Sequence, residues 1–355
     1  PRNQHRHRLS GELGMKVVFQ GAGAIGAAAA ALFGRRHETV VVSRSANPGS
    51  EALNSPDTVR LQDTVRPQSS APTRDTARPR DAAYPRRVGS TGRETVRRVP
   101  VVDWATVSSS SWDLVVLTTR PGDLDEPVAA SISGIRPSII AITSQVDGDR
   151  DIAVSMFPES EILVFSPALL SERTTGRNVR YWQPPGMPVF MASGRRETVR
   201  GLRRGLGGGL IVAVPAALLS APPAVFIPYV AELSVREGSW TALRTHLRRP
   251  TQASAEAVHA VTGVRIPMSA RGAGLVLDAL ELFVPIDVGE YAGRHFARHE
   301  GQTLDMLNGW AGQMARRAAR RDSQRNPKRN AAPALAELAP ALGELAQALR
   351  LRVTR

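Results

Sequence analysis

The chain has 355 residues, a formal net charge of +14 and a hydrophobic share of 42%. This length favours two domains over one, and no window reaches the ~18 uninterrupted apolar residues that a membrane-spanning helix requires, so no membrane association is expected. Because cysteine is absent, a disulfide framework, a cysteine-ligated zinc site and a thiol nucleophile are excluded, and a cytoplasmic location is predicted.

The positive charge is almost all arginine, since lysine occurs only at Lys16 and Lys328. Most of the excess falls in three segments outside the predicted core: the residues before Met15, residues 57–98 and residues 316–329. Aromatic residues make up 5% of the chain, which leaves few side chains to stack on bases. The charge therefore does not favour a nucleic-acid partner.

Residues 1–14 are predicted to be a disordered tail. A β-branched run at 16–20 predicts a strand, residues 21–26 (GAGAIG) a tight turn, and the alanine-rich stretch 27–33 a helix. Further apolar runs predict strands at 38–42, 114–118, 139–143, 163–166 and 188–192. Continuously apolar strands that alternate with helices indicate a parallel sheet covered on both faces. We therefore predict an α/β fold whose Rossmann-type, doubly wound parallel sheet forms a nucleotide-binding domain over 15–195.

Between the second strand and Trp104 the composition shifts to Pro, Arg, Thr, Ser and Asp. Read in sixes from Asp57, the chain gives DTVRLQ, DTVRPQ, SSAPTR, DTARPR and DAAYPR, a decayed repeat. A β-helix of such repeats needs a recurring apolar position, and these units offer little more than one Val or Ala each. Residues from about 48 to 100 are therefore predicted to be a mobile, low-complexity insertion in a surface loop.

From residue 196 onward the pattern is helical, and it predicts an all-helical second domain over 196–321 for substrate binding and dimer contacts. Residues 322–355 are predicted to be a charged linker and a C-terminal amphipathic helix that docks on the body or on a second subunit. The predicted helices cover 196–206, 216–236, 254–262, 273–283, 290–321 and 331–351.

The turn GAGAIG has the pattern of a phosphate-binding loop. A dinucleotide pyrophosphate needs a backbone without obstructing side chains at a helix N-terminus, where free N–H groups and the helix dipole favour anions. Gly21 would permit the tight turn, Gly23 the close approach of the cofactor, and Gly26 the packing of helix on strand. The predicted cofactor-binding residues of this turn are Gly21, Ala22, Gly23, Ala24, Ile25 and Gly26.

The residues after the second strand favour NADP over NAD. An NAD enzyme places Asp or Glu about twenty residues beyond the turn, whereas NADP requires a cation there for its 2′-phosphate. This chain has Ser43-Arg44-Ser45 and no acidic residue until Glu51. Arg44 is the predicted phosphate ligand, with Ser43 or Ser45 beside it. The alternative is that Arg44 is a solvated surface residue.

Several motifs recur in the order found in one known family. They are MKVVFQGAGAIG and the VVVSR after it, WDLVVLTTRPGDLDE at 112–126, IIAITSQVDGD at 139–149 and VRYWQPPGMPVFMASG at 179–194. With them the N-terminal half resembles the NADPH-dependent ketopantoate reductase (2-dehydropantoate 2-reductase) family. The resemblance implies that Arg120 assists with the cofactor phosphate. It also implies that Gln145, which stands where the family has Asn, lies near the nicotinamide.

The helical half departs from the family pattern. Enzymes of this family use a Lys to protonate the alkoxide that develops on the substrate's carbonyl oxygen. This Lys lies within the pattern W-x-K-x-x-x-N on the first long helix of the second domain. The corresponding residues 217–232 contain neither Lys nor Asn, and no Lys occurs between Lys16 and Lys328. Ketone reduction without a proton donor is slow, because the alkoxide must be neutralised as it forms.

Two groups of residues are candidates to replace this Lys. Tyr229 and Glu232 lie three apart on the predicted helix and hence on one face, with Ser220 near its start. In the second group Glu290 and His295 could act as an acid/base pair or select a substrate carboxylate. The alternative for this group is a packed helix whose polar residues bond to each other and to a dimer partner. The second group, within 285–303, consists of Asp287, Glu290, Tyr291, His295, His299 and Gln302.

His295 and His299 are spaced to share a metal, but no third ligand stands at a suitable spacing, so no metal site is predicted. The sequence thus predicts an NADPH-dependent oxidoreductase that reduces a small carbonyl substrate, of the 2-keto acid type, between the two domains, with a possible homodimer. The alternative is an NADP-binding protein that has lost its proton donor and acts as a redox-responsive partner.

Overall fold

The computed structural model describes residues 14–43, 84–89, 93–174, 178–296, 300–325 and 339–354. Its strands are β1 (Lys16–Gln20), β2 (Glu38–Val42), β3 (Tyr84–Val88), β4 (Glu94–Val96), β5 (Val101–Val102), β6 (Leu114–Leu117), β7 (Ile139–Ile142), β8 (Glu161–Pro167), β9 (Leu170–Arg173), β10 (Asn178–Trp182), β11 (Phe190–Ser193) and β12 (Ile211–Ala213). Its helices are α1 (Ala24–Phe33), α2 (Trp104–Ser108), α3 (Glu126–Ile135), α4 (Asp149–Met156), α5 (Arg196–Leu206), α6 (Ala216–Val235), α7 (Trp240–Thr245), α8 (Arg248–Thr262), α9 (Ala270–Phe283), α10 (Val288–Phe296), α11 (Glu300–Arg325) and α12 (Pro340–Val353).

The main sheet of the described chain has eight strands in the order β12-β11-β8-β7-β6-β1-β2-β5. All neighbouring strands are parallel except β8 and β11, which are antiparallel. The central strands β6 and β7 are apolar throughout, and every residue of β6 is buried, as expected for strands with helices on both faces. The predicted strands at 16–20 and 38–42 are confirmed residue for residue, and so is the Rossmann-type fold class.

The strand order reverses beside β1. The chain passes from β1 outward to β2 on one side, then crosses to β6, β7 and β8 on the other. In an open parallel sheet, ligands bind outside the carboxyl ends of the strands at such a switch point. The crevice beyond β1 and β6 is therefore the expected binding position.

A second sheet, absent from the sequence prediction, has four described strands in the order β4-β3-β10-β9. It packs on α1, whose alanines lie between the two sheets with Val179 and Tyr181 of β10 in the same core. Small side chains on α1 let both sheets approach closely. The prediction of a loop from about 48 to 100 is wrong over β3 and β4, because β3 pairs with the distant β10 and β4 pairs with β3. The hexapeptide units before residue 84 lie outside the described residues.

The helical half is built around α6 and α8, which pack against each other and against α11 and α12. Leucines 342, 345 and 349 of α12 are buried in this core, so the C-terminal helix docks on the body of its own chain. Glu256 of α8 accepts hydrogen bonds from the first amides of α12, those of Ala341 (3.2 Å) and Leu342 (2.8 Å). This carboxylate thus satisfies two of the N–H groups that a helix start leaves free.

Several helix boundaries differ from the prediction, and α8 and α9 begin at Arg248 and Ala270 instead of at 254 and 273. The single helix predicted over 290–321 is two helices, α10 and α11, and α11 continues to Arg325 through the start of the predicted linker. Of the described helices, α6 alone is long and apolar enough to cross a membrane by length and composition. In the fold it packs against α8, α11 and α12, and 39% of its apolar window is buried.

Candidate functional site

The glycine turn lies at the switch point and leads from β1 into α1. Gly21 has φ +101°, in the left-handed region that favours glycine. A Cβ on Gly26 would lie 2.3 Å from the carbonyl oxygen of Gly21, so only glycine lets α1 pack this closely. The hydroxyl of Thr118, at the end of β6, donates to the carbonyl oxygen of Gln20 (2.7 Å) and fixes the base of the turn.

Gly23 has a different role from Gly21 and Gly26. Its backbone is extended, with φ −70° and ψ 179°, and a Cβ built on it would meet nothing within 4 Å. It is the N-cap of α1, supplies no side-chain cap, and the first turn of α1 carries no acidic residue. The first N–H groups of α1 are therefore without a side-chain cap, and together with the helix dipole they favour an anion.

The end of β2 contributes Ser43, whose amide donates to the carbonyl oxygen of Val102 (3.4 Å). Arg44 and Ser45 lie outside the described residues. The predicted contact of Arg44 with a 2′-phosphate therefore stays a prediction.

Arg120 lies just beyond β6, and two carboxylates hold its guanidinium. Its Nε and Nη2 donate to Asp149 (2.9 and 3.1 Å), and its Nη1 donates to Asp305 of α11 (2.7 Å). Asp149 is buried and also accepts a short hydrogen bond from the Ser144 hydroxyl. The bonds to Asp149 in particular raise the pKa of Arg120 further above its usual value. The structure thus shows an ion-pair network between the sheet edge and the helical half where the sequence predicted a phosphate ligand.

Gln145 follows β7 at the same edge of the sheet. Its Nε2 donates to the buried Ser166 hydroxyl (2.9 Å), while its Oε1 is buried without a partner among the described residues. The Oε1 of Gln20, the last residue of β1, is also buried without a partner among the described residues. An unsatisfied buried acceptor costs about 1–3 kcal/mol. Two such oxygens thus lie at the carboxyl edge of the sheet.

Arg173 is a residue of this site that the sequence analysis did not single out. It ends β9 in the second sheet, is exposed, and donates from Nη2 to the carbonyl oxygen of Ala22 within the glycine turn (2.6 Å). The sequence gives no signal for this contact, because it depends on the packing of the second sheet against α1.

Tyr229 and Glu232 lie inside the helical half. Both carboxylate oxygens of the fully buried Glu232 are occupied, one by Arg236 (2.9 Å) and the other by Arg249 (2.6 Å). The Tyr229 hydroxyl shares a hydrogen bond with Thr251 (2.8 Å), and burial raises its pKa. Neither residue packs beside the glycine turn.

The cluster after α9 also lies apart from the turn. Asp287 caps α10 by accepting from the amide of Glu290 (2.8 Å), and burial raises the pKa of Tyr291 to about 12. Glu290, Asp287 and Trp240 line an open cavity of about 550 Å³, and no residue of the glycine turn lines it. Gln302 is half-buried on α11. His299 lies outside the described residues, and the His295 side chain is not described.

The architecture is that of a group of known reductases and dehydrogenases. A structure of D-mandelate dehydrogenase with NADH and anilino(oxo)acetate has a TM-score of 0.56 at 13% identity over 95% of this chain and 98% of the other. A ketopantoate reductase from Ralstonia eutropha JMP134 has a TM-score of 0.54 at 14% identity, over 95% and 98%. A probable 2-dehydropantoate 2-reductase from Bacillus subtilis has a TM-score of 0.52 at 14% identity, over 95% and 100%.

At these identities the likeness establishes the fold, from the Rossmann-type sheet through the helical half. No protein-family model matches the chain, and no curated protein matches it in sequence.

Proposed function

We propose that the chain is an oxidoreductase that uses a nicotinamide dinucleotide to reduce a small carbonyl compound of the 2-keto acid type. The observation that carries the proposal is the glycine turn, whose uncapped helix N-terminus opens at the switch point of the sheet. The fold adds support, since D-mandelate dehydrogenase, of similar architecture, has a structure with NADH.

The residues around the turn fit such a cofactor. Open space beside Gly23 leaves room for a pyrophosphate next to the free amides of α1. The unpartnered Oε1 of Gln145 is an acceptor suited to the N–H groups of a carboxamide. Gln145 would therefore position the nicotinamide, as the sequence resemblance implies.

NADPH is the proposed form of the cofactor. β2 ends at Val42, and the next acidic residue is Glu51, so no carboxylate directly follows the strand to accept from ribose hydroxyls. Arg44, the second residue after the end of β2 in the sequence, is the proposed cation for the 2′-phosphate. Arg120 is engaged by Asp149 and Asp305, and we assign it to the contact between the two halves.

When bound, the reduced nicotinamide supplies a hydride to the carbonyl carbon. The chain has to hold the cofactor, exclude water and provide a proton for the carbonyl oxygen. The paired Glu232 is poorly placed for this last task, because both of its oxygens already accept from arginines. We assign Glu232 a structural role; Tyr229, Glu290 and His295 stay candidates for the proton donor.

A second function is favoured by the engagement of two candidate proton donors. With Glu232 and Tyr229 engaged inside the helical half, the site fits a protein that binds NADP without turnover and responds to its redox state. Loss of the proton donor would leave cofactor binding intact, because the turn and the helical half are built from separate residues.

Turnover separates the two functions. The protein is mixed with NADPH or NADH and a panel of 2-keto acids, and the absorbance of the reduced nicotinamide is followed. Consumption of NADPH with at least one 2-keto acid is expected. Tight binding of NADPH without consumption on any member of the panel would leave only the second function.

A further inference from the structure

The end of the second sheet places one arginine against the glycine turn. β9 packs on α1 and runs antiparallel to β10, with Arg173 opposite Val179. This register brings Arg173, the last residue of β9, to the start of α1. Its Nη2 lies 2.6 Å from the carbonyl oxygen of Ala22, which stands between Gly21 and Gly23.

The charge of Arg173 is uncompensated within the described chain. Its neighbour Glu172 is buried and lies 3.9 Å from Arg180, and no described carboxylate forms an ion pair with Arg173. Arg120, another arginine at this edge, is neutralised by two aspartates. A guanidinium has five N–H donors, and Arg173 uses one of them on the turn.

We propose that Arg173 is a ligand of the cofactor pyrophosphate, supplied by the second sheet; this inference rests on the proposed function. The bond to Ala22 holds the guanidinium beside the amides of α1, so little side-chain freedom remains to be lost on binding. Arg173 then adds a cation and a planar pair of donors to the partial positive charge of the helix terminus.

This role differs from that assigned to Arg44. The pyrophosphate is common to NADH, NADPH and ADP-ribose, whereas the 2′-phosphate belongs to NADPH alone. Loss of Arg173 should therefore weaken all three ligands by a similar factor. Adenosine 2′-monophosphate, which has no pyrophosphate, should be little affected.

The test is a titration of wild type, Arg173→Ala and Arg173→Lys with these four nucleotides. In Arg173→Ala we expect the Kd of the three pyrophosphate ligands to rise roughly ten- to hundredfold, as for the loss of charge-assisted hydrogen bonds. Arg173→Lys should recover part of the affinity, because it keeps the charge and loses the planar fork.

Arg204→Ala is the matched control. Arg204 is exposed on α5, next to Gly205, which packs against Met15 just before β1 and hence at the opposite edge of the sheet. This variant loses the same charge and should keep wild-type Kd values.

Equal Kd values for wild type and Arg173→Ala would overturn the role of Arg173 and leave the proposed function standing. A loss confined to NADPH would also overturn it, by assigning Arg173 to the 2′-phosphate. If the wild type binds none of the four nucleotides, both this inference and the proposed function fail.

Discussion

Each of the three glycines of the turn meets a different physical demand. Gly21 has a positive φ, and Gly26 has no room for a Cβ because the carbonyl oxygen of Gly21 lies in its place. Gly23 satisfies neither condition, since its backbone is extended and the space beside it is open. The fold therefore requires Gly21 and Gly26, whereas only the proposed cofactor would require Gly23.

Substitutions at Gly23 and Gly26 should separate binding from stability. Gly23→Val should lower the free energy of unfolding by no more than about 1 kcal/mol, because valine is a poorer N-cap than glycine. It should weaken NADPH binding roughly tenfold or more, because its side chain fills the space beside the amides. Gly26→Ala should lower the free energy of unfolding by roughly 1–3 kcal/mol, since the backbone must shift to admit a Cβ. Thermal melts and nucleotide titrations measure both effects.

Gly134→Ala is the control, because a Cβ there meets nothing within 4 Å and Gly134 lies in α3. It should keep wild-type nucleotide affinity. Wild-type NADPH affinity in a folded Gly23→Val variant would argue against a cofactor at this turn.

At the scale of elements, α6 is held by an ion-pair cluster within the helical half. Glu232 of α6 is fully buried between Arg236, one turn later, and Arg249 of α8. Burying a carboxylate is tolerated only when it is paired and hydrogen-bonded, and here both oxygens are. Removing the charge leaves two guanidinium groups close together without their partner.

Glu232→Gln should therefore lower the free energy of unfolding by about 3 kcal/mol. The rate of hydride transfer per folded molecule should stay unchanged. Chemical denaturation and single-turnover absorbance measure the two quantities. Glu237→Gln, an exposed position just after α6, is the control and should change neither. Wild-type stability with lost hydride transfer would restore Glu232 as the proton donor.

The sequence predicted local elements better than contacts between them. β1, β2 and α5 stand where their own apolar pattern places them. β9 was missed, because the stretch LSER carries no alternation and is a strand only through its pairing in the second sheet. The partners of Arg120 were missed for the same reason, since Asp305 lies 185 residues away.

At the scale of the whole molecule, two ion pairs between described residues join the edge of the sheet to α11. Arg120 bonds Asp305 (2.7 Å), and Arg316 bonds Asp147 in the loop after β7 (2.6 Å). Asp305 and Arg316 are about half exposed, so each bond across the halves contributes modestly. Asp149 differs, because it is 1% exposed and holds both Arg120 and Ser144.

Asp305→Asn should therefore cost less than about 1 kcal/mol of unfolding free energy, and 1 M salt should reduce the difference further. Asp149→Asn should cost about 3 kcal/mol or more, because the partly buried guanidinium of Arg120 then keeps only the half-exposed Asp305 as a charged partner. Denaturant unfolding of both variants shows whether Asp149→Asn loses more unfolding free energy than Asp305→Asn. Equal costs would contradict the assignment of Asp149 as the buried anchor of this network.

Binding of a nicotinamide dinucleotide at the switch point is measured most directly by energy transfer from tryptophan to reduced nicotinamide in the wild type and in Gly23→Val. The wild type should bind NADPH saturably and more tightly than NADH, and the folded Gly23→Val variant should lose most of this affinity. Failure of the wild type to bind either nucleotide would contradict the central claim that this turn holds a redox cofactor.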